Sequence, residues 1–249
     1  PSSAPAPSST PAPSSTPAPG SNAASSPEIN GESKNWRAIT RDLSVMVEGS
    51  ETTIRLRGNN EVPADVIKAI ADKKLKATFV FDDKLSWQLD GAEIETPTVA
   101  KLKITTVTSL DSSSLRGTAG MKFRIDGTDN PTELTISFNK KEAGKFANLY
   151  RKNGDELVFV DNVKVDKNGY ARGVEVEEKG DYVVMLCEFS DRLGDANNDG
   201  IVNAVDASTI LRRIVELGDA ENVEMLDYNG DGKINALDAA KLLQDLVAR

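Results

Sequence analysis

The chain has 249 residues, a formal net charge of −9, no histidine and one cysteine. The lack of histidine excludes Ser-His-Asp and Cys-His catalytic sites and histidine-containing zinc sites, and a single cysteine excludes an internal disulfide. The acidic balance argues against nucleic acid, which requires a basic surface, and favours divalent cations. No apolar run approaches the ~20 residues that span a bilayer, so no membrane insertion is expected.

Residues 1–30 have the composition of a disordered Pro/Ser/Thr linker. They contain eight of the eleven prolines and two tandem copies of the hexapeptide SSTPAP. The segment has too few large apolar residues to offset the entropy lost on folding. Such linkers commonly join modules of secreted proteins. Because the chain lacks an initiator methionine, we expect it to be a downstream part of a longer, extracellular, multimodular protein.

Residues 31–190 are predicted to form a β-rich, sandwich-like module with a short helix. Period-two alternation of apolar residues predicts strands. The alternating sets are Leu43-Val45-Val47, Ile54-Leu56, Phe79-Phe81, Leu85-Trp87-Leu89, Met121-Phe123-Ile125, Leu134-Ile136-Phe138, Leu157-Phe159 and Val174-Val176. Turns are predicted at Asp90-Gly91, Asn153-Gly154 and Asn168-Gly169.

Two further elements of this module have their own sequence signals. Pro63 suits the start of a helix, and Val66, Ile67 and Ile70 would then share one face. Residues 181–189 are apolar on both strand faces, which predicts a central strand with Cys187 as a buried thiol.

The β-rich module is not expected to be an enzyme. Acidic pairs such as Glu93 and Glu95 are more typical of exposed strand faces than of a glycosidase acid and nucleophile. Aromatic residues make up only 5% of the chain, and the position of Trp87 within an apolar strand face indicates core packing. A carbohydrate-binding module, or the tail of a glycoside hydrolase, is the alternative interpretation.

Residues 191–249 hold twelve acidic and six basic residues, so they supply −6 of the −9 net charge. They contain two similar twelve-residue segments, DANNDGIVNAVD at 195–206 and DYNGDGKINALD at 227–238. Each has oxygen-bearing side chains at positions 1, 3, 5, 9 and 12, and glycine at position 6. Calcium prefers six to eight oxygen ligands, and glycine permits the sharp turn around the ion. The pattern predicts two calcium loops whose folding depends on the metal.

These loops differ from those of ordinary EF-hands. Position 12 is Asp rather than Glu, and residues 190–194 leave no room for an incoming helix, which disfavours a calcium sensor. The two loop-helix repeats, over residues 194–247, closely resemble the dockerin family. The resemblance implies a small all-α dockerin that is non-catalytic and binds a cohesin, docking its protein into a cellulosome, an extracellular complex for polysaccharide degradation.

The resemblance also implies two bound Ca²⁺ ions and assigns their ligands. The position 7 residues, Ile201 and Lys233, would contribute backbone carbonyls. The implied ligands are Asp195, Asn197, Asp199, Ile201, Asn203 and Asp206 in the first loop, and Asp227, Asn229, Asp231, Lys233, Asn235 and Asp238 in the second.

The family's partner-recognition positions also map onto both repeats. The implied cohesin-binding residues are Ala204, Val205, Leu211, Arg212, Arg213, Ala236, Leu237, Leu243, Gln244 and Asp245. Many dockerins carry Ser-Thr where this chain has Ala204-Val205 and Ala236-Leu237, which implies a more apolar interface. Independently of the family, surplus apolar residues beside the Ile210-Ile214-Leu217 stripe indicate either a partner surface or internal packing.

A β-rich module directly before a dockerin resembles the X-modules of ruminococcal-type scaffold proteins, or scaffoldins. This resemblance implies that residues 31–190 stabilise the dockerin. Retention on insoluble cellulose without a cohesin would instead favour the carbohydrate-binding alternative.

Overall fold

A computed structural model describes residues 26–59, 61–97, 100–101, 104–126, 133–176 and 178–248. Most of the predicted linker, residues 1–25, lies outside the described residues. The strands are β1 (Glu28–Ile29), β2 (Glu32–Ser33), β3 (Glu51–Arg55), β4 (Glu61–Val62), β5 (Lys76–Val80), β6 (Leu85–Asp90), β7 (Ala100–Lys101), β8 (Ile104–Thr106), β9 (Thr118–Ile125), β10 (Glu133–Ser137), β11 (Phe146–Asn153), β12 (Glu156–Lys164), β13 (Tyr170–Glu175) and β14 (Gly180–Cys187). The α-helices are α1 (Trp36–Ser44), α2 (Ala64–Asp72), α3 (Ala204–Ile214) and α4 (Ala236–Val247), with 3₁₀ turns at Gly91–Glu93, Lys140–Glu142 and Val223–Met225.

Two sheets form the β-rich module. One has the strand order β13-β10-β6-β5-β3-β1-β2 and the other β12-β11-β14-β9-β8, and β4 pairs separately with β7. Their inner faces share one core, in which Phe79 and Trp87 of the first sheet join Phe123, Leu149 and Tyr182 of the second. The predicted β-rich, sandwich-like module is therefore confirmed.

Helix α2 lies where the sequence predicts the short helix. Pro63 is its N-cap, and Val66, Ile67 and Ile70 are buried. Proline suits a helix start because its fixed backbone angle is compatible with helix entry and no N–H is left unpaired. The helix connects β3 to β5, which pair in parallel, so these elements form a crossover unit.

The predicted strand through Leu43, Val45 and Val47 is wrong. The chain there forms α1, which begins after Asn35, whose side-chain oxygen accepts from the Ala38 N–H at 2.9 Å. Leu43 is fully buried, whereas Val45 and Val47 are 79% and 78% exposed. Helix capping and the helical spacing of buried residues outweigh the short period-two pattern.

The module also begins earlier than the sequence indicates. The composition predicts a linker up to residue 30, but Glu28–Ile29 already pairs with β3 near the edge of the first sheet. Ile29 is 1% exposed, so this strand contributes to the core.

The predicted turns differ in outcome. The β11–β12 hairpin turn at Asn153-Gly154 is confirmed. Asp90 instead caps the 3₁₀ turn Gly91–Glu93, and the turn at Asn168-Gly169 joins strands of different sheets rather than forming a hairpin.

Strand β14 lies at the centre of the five-stranded sheet, as its apolar faces predict. It ends at Cys187, and this thiol is half-buried rather than buried, because it lies where the strand leaves the sheet.

The C-terminal part contains α3 and α4, which pack against each other over a separate small core. This core includes Ile210, Leu226 and Leu242 together with four buried alanines. No helix leads into the loop before α3, as expected from the short connection. Within the described ranges, no helix is both long and apolar enough to span a bilayer.

Candidate metal centre and module junction

The first predicted calcium loop is held by hydrogen bonds to its acidic side chains. The carboxylate of Asp195, at position 1, accepts from the backbone N–H of Asp199 at 3.0 Å and of Gly200 at 2.9 Å. Asp199 in turn accepts from the Ile201 N–H at 2.8 Å. The chain thereby winds around the position 1 side chain.

The second loop repeats this pattern at the same positions. Asp227 accepts from the N–H groups of Asp231 at 3.1 Å and Gly232 at 2.8 Å, and Asp231 accepts from Lys233 at 2.9 Å. The position 6 glycines have the left-handed φ values that the turn requires, +91° at Gly200 and +80° at Gly232.

The position 12 aspartates tie each loop to its helix. Asp206 accepts from the Ala196 N–H at 2.9 Å with one oxygen and from the Asn203 N–H at 2.9 Å with the other. Asp238 likewise accepts from Asn229 at 3.1 Å and Asn235 at 2.8 Å. Both aspartates are fully buried and complete capping boxes at the starts of α3 and α4.

The donor chemistry of the loops fits a hard divalent cation. Asp195 and Asp206 are both fully buried in a loop that contains no basic residue. The pKa of Asp206 is raised overall, chiefly by burial and also by the nearby Asp195 carboxylate. Backbone hydrogen bonds to the carboxylate oppose this shift. A divalent cation would compensate these buried charges and accept the oxygen donors that calcium prefers.

The arrangement is less convergent than a closed metal site. Among the residues that the structure describes, no three acidic, histidine or cysteine side chains lie close enough together to hold an ion. The six predicted ligands of each loop follow one another along the loop. Several of their carboxylate oxygens accept hydrogen bonds from backbone N–H groups of the same loop. The predicted ligand sets therefore stay predictions.

The predicted cohesin-binding residues lie on or near the surface of α3 and α4. Nine of the ten are exposed, and Asp245 is half-buried. Val205 and Leu237, at equivalent positions of the two repeats, are 57% and 63% exposed. These residues are accessible to a partner.

The predicted apolar stripe of the first repeat is only partly buried. Ile210 is fully buried, whereas Ile214 is 37% and Leu217 is 74% exposed, and α3 ends at Ile214. Leu211 and Val215, beside this stripe, are 42% and 60% exposed. The surplus apolar residues therefore do not pack internally or against the β-rich module.

Residues 188–192 connect the two modules, with exposed residues at 188 and 189 and buried polar residues at 190 and 191. Ser190 has no exposed surface, and Asp191 is 8% exposed. The Asn148 side chain on β11 accepts from the Asp191 N–H at 3.1 Å, and the Asn162 side chain on β12 donates to the Ser190 hydroxyl at 2.5 Å. The connection is thus fixed to the five-stranded sheet.

An ion pair at this junction reaches both modules. Arg116 donates from Nε to the Asp191 carboxylate at 2.8 Å, and the Tyr150 hydroxyl also donates to that carboxylate. Arg116 Nη1 lies 2.8 Å from the Glu224 carboxylate, which belongs to the segment between the two loop-helix repeats. One arginine therefore links the β-rich module, the connection and the C-terminal module.

Four of the junction residues are not predicted from the sequence pattern: Arg116, Tyr150, Asn148 and Asn162. Asn148 carries a local signal, since it is a fully buried polar residue within the apolar run FANLY. Arg116 and Asp191 are separated by 75 residues and have no shared local signal.

The fold and loops define the C-terminal module as a duplicated loop-helix unit without incoming helices. Residues 193–247 match the family model described as the dockerin type I domain. This module therefore matches the dockerin family, whose domains are non-catalytic and bind calcium and a cohesin. The match does not include the β-rich module, and searches of curated proteins and solved structures found no match.

Proposed function

We propose that the chain is a non-catalytic, extracellular assembly unit whose calcium-loaded dockerin binds a cohesin. This binding attaches the parent protein to a cellulosome or a cell-surface scaffold. The observation that carries the proposal is the repeated pair of all-oxygen loops, each connected to a helix with accessible apolar residues.

Two Ca²⁺ ions are proposed, one in each loop, held by the twelve residues that the family resemblance assigns. When bound, the ions neutralise carboxylates that otherwise repel one another. The chain's own contribution is to orient these oxygens through backbone N–H groups. Asp206 and Asp238 also fix the first turns of α3 and α4, on which the proposed cohesin surface depends.

The cohesin surface is proposed to lie along the two helices and to be largely apolar. Val205, Leu211, Leu237 and Leu243 are each at least 40% exposed. Accessible apolar side chains grouped on a small module are typical of protein-binding surfaces.

The β-rich module is proposed to act as an X-module that stabilises the dockerin. The buried junction around Asp191 supports this role, because removing the β-rich module would expose that carboxylate without Arg116 and Tyr150. The carbohydrate-binding alternative has less support, because no tryptophan or tyrosine among the described residues of the β-rich module is fully exposed for stacking on sugar rings. Trp87 and Tyr150 are buried, and Trp36 and Tyr170 are half-buried.

Affinity capture with a panel of immobilised cohesins tests the proposal. The full chain should bind at least one cohesin with calcium and be released by EDTA, while insoluble cellulose should not retain it. A variant with Asp206→Ala and Asp238→Ala is the matched control and should not bind. Calcium-independent capture, or retention on cellulose without a cohesin, would contradict the proposed function.

A further inference from the structure

The two calcium loops have equivalent sequences but different surroundings. At positions 1, 2, 3, 4, 6 and 8, the first loop is more buried than the second. Asp195, for example, is fully buried, whereas its counterpart Asp227 is half-buried. The structure therefore breaks the symmetry that the repeated sequence indicates.

Asn198 at position 4 accounts for part of this difference. Its φ of +58° lies in the left-handed region, as does the φ of +69° at Gly230, the equivalent residue of the second loop. The Asn198 side chain accepts from the Ser190 N–H at 2.8 Å and donates to the Glu188 carbonyl at 3.0 Å. Gly230 has no side chain with which to make such bonds.

Phe146 of the β-rich module provides a second contact to the first loop alone. Its ring packs so closely against Gly200 that an added Cβ atom there would lie 3.0 Å from the ring. At Gly232, the equivalent residue of the second loop, no atom of the described residues lies within 4 Å of such a Cβ. The β-rich module thus contacts the first loop at its tightest turn.

Residues 188–190, to which the Asn198 side chain is hydrogen-bonded, are themselves held by other hydrogen bonds. The Ser190 hydroxyl accepts from Asn162 on β12, and the Ser190 carbonyl accepts from the Asn222 side chain at 2.6 Å. Asn198 is therefore bound to a fixed support rather than to a mobile connection. A loop held in this way loses less conformational entropy when it closes around an ion.

We propose that the β-rich module preorganises the first loop, so that this loop binds calcium more tightly than the second and fills first. The inference rests on the proposed function, since it requires that both loops bind calcium. Neither Asn198 nor Phe146 is an assigned metal ligand, so each acts as a positioning residue. Their effect is to stabilise the loop conformation that binds the ion.

A calcium titration of the full chain, monitored by NMR, measures calcium binding to each loop separately. The Gly200 and Gly232 N–H groups donate to the position 1 carboxylates, so their amide signals report each loop individually. Gly200 should reach its midpoint at lower calcium concentration than Gly232. In Asn198→Gly, which retains left-handed freedom, the Gly200 midpoint should rise roughly 5- to 30-fold, while that of Gly232 stays unchanged.

The matched control is Gly230→Asn, which places asparagine at the equivalent position of the second loop. No atom of the described residues lies within 4 Å of an added Cβ there, so this variant should shift neither midpoint. Phe146→Leu is a second variant and should raise the Gly200 midpoint alone. Trp36 and Trp87 are the two tryptophans, and both lie in the β-rich module, so their emission verifies that this module stays folded.

Each failure has a different meaning. If calcium shifts neither amide, the proposed function fails together with the inference. If both amides respond with one shared midpoint, or if Asn198→Gly and Phe146→Leu leave the Gly200 midpoint unchanged, the inference is overturned while the calcium-binding function stands.

Discussion

Arg116 connects the β-rich module, the connecting segment and the C-terminal module. Besides its bonds to Asp191 and Glu224, its guanidinium lies 5.8 Å from the ring centre of Phe189. Burial by itself lowers the pKa of Arg116, but the hydrogen bond and charge of Asp191 outweigh burial and raise it. Burial, together with the bond to Asp191, also raises the pKa of Tyr150 far above its usual value, so its hydroxyl stays a donor.

Replacing Arg116 with methionine should destabilise the chain by about 2–4 kcal/mol, because it leaves the nearly buried Asp191 carboxylate without its cation. The free energy of unfolding in urea measures this loss. The control is Arg124→Met, which removes an exposed partner of Asp181 and should have little effect. Equal losses in the two variants would show that the junction has no special role.

Gly194 should tolerate substitution worse than Gly230. Both have left-handed φ values, +90° and +69°, so alanine is strained at either position. At Gly194 the added Cβ would also lie 2.8 Å from the Tyr228 ring and 3.1 Å from Leu242, whereas it is unobstructed at Gly230. Thermal unfolding of the calcium-loaded chain should place Gly194→Ala several degrees below Gly230→Ala, and the reverse order would refute this packing.

At the scale of elements, regular local patterns were predictable from sequence and long-range contacts were not. The alternation in β6 is strong because Leu85, Trp87 and Leu89 all enter the core. Helix α1 is not predicted because Leu43, Val45 and Val47 also fit a strand. The Asn35 cap and the four-residue spacing of the buried Ile39 and Leu43 identify the helix. The loops were predictable since their residue spacing is local, whereas the junction depends on residues brought together by the fold.

The helices α3 and α4 present similar apolar residues but different charges, which predicts one dominant orientation of the bound cohesin. Arg212 and Arg213 are exposed on α3, while Gln244 and Asp245 occupy the equivalent positions on α4. Charge reversal at both arginines should weaken cohesin binding roughly tenfold or more, measured by surface plasmon resonance. Charge substitutions at Gln244 and Asp245 should have a smaller effect, and equal losses would instead favour two orientations.

At the scale of the whole molecule, the net charge is concentrated in the module that is proposed to bind metal. Residues 191–249 carry −6 of the −9, and six of their acidic residues are assigned as ligands. The β-rich module has its own large core, so we expect it to stay folded without these ions.

Calcium removal should therefore affect the two modules differently. Helices α3 and α4 hold 23 of the 41 α-helical residues described, so EDTA should remove about half of the helical circular dichroism signal. Tryptophan emission should stay unchanged, because Trp36 and Trp87 lie in the β-rich module. Loss of both signals at the same EDTA concentration would mean that the modules unfold as one unit.

Counting the calcium ions bound per chain tests the central claim most directly. Isothermal titration calorimetry of calcium into the chelator-treated full chain should give two ions. Asp206→Ala and Asp238→Ala should each reduce the count to one, because each removes a buried position 12 carboxylate from one loop. A count of zero in the unmodified chain, or an unchanged count in both variants, would contradict the account.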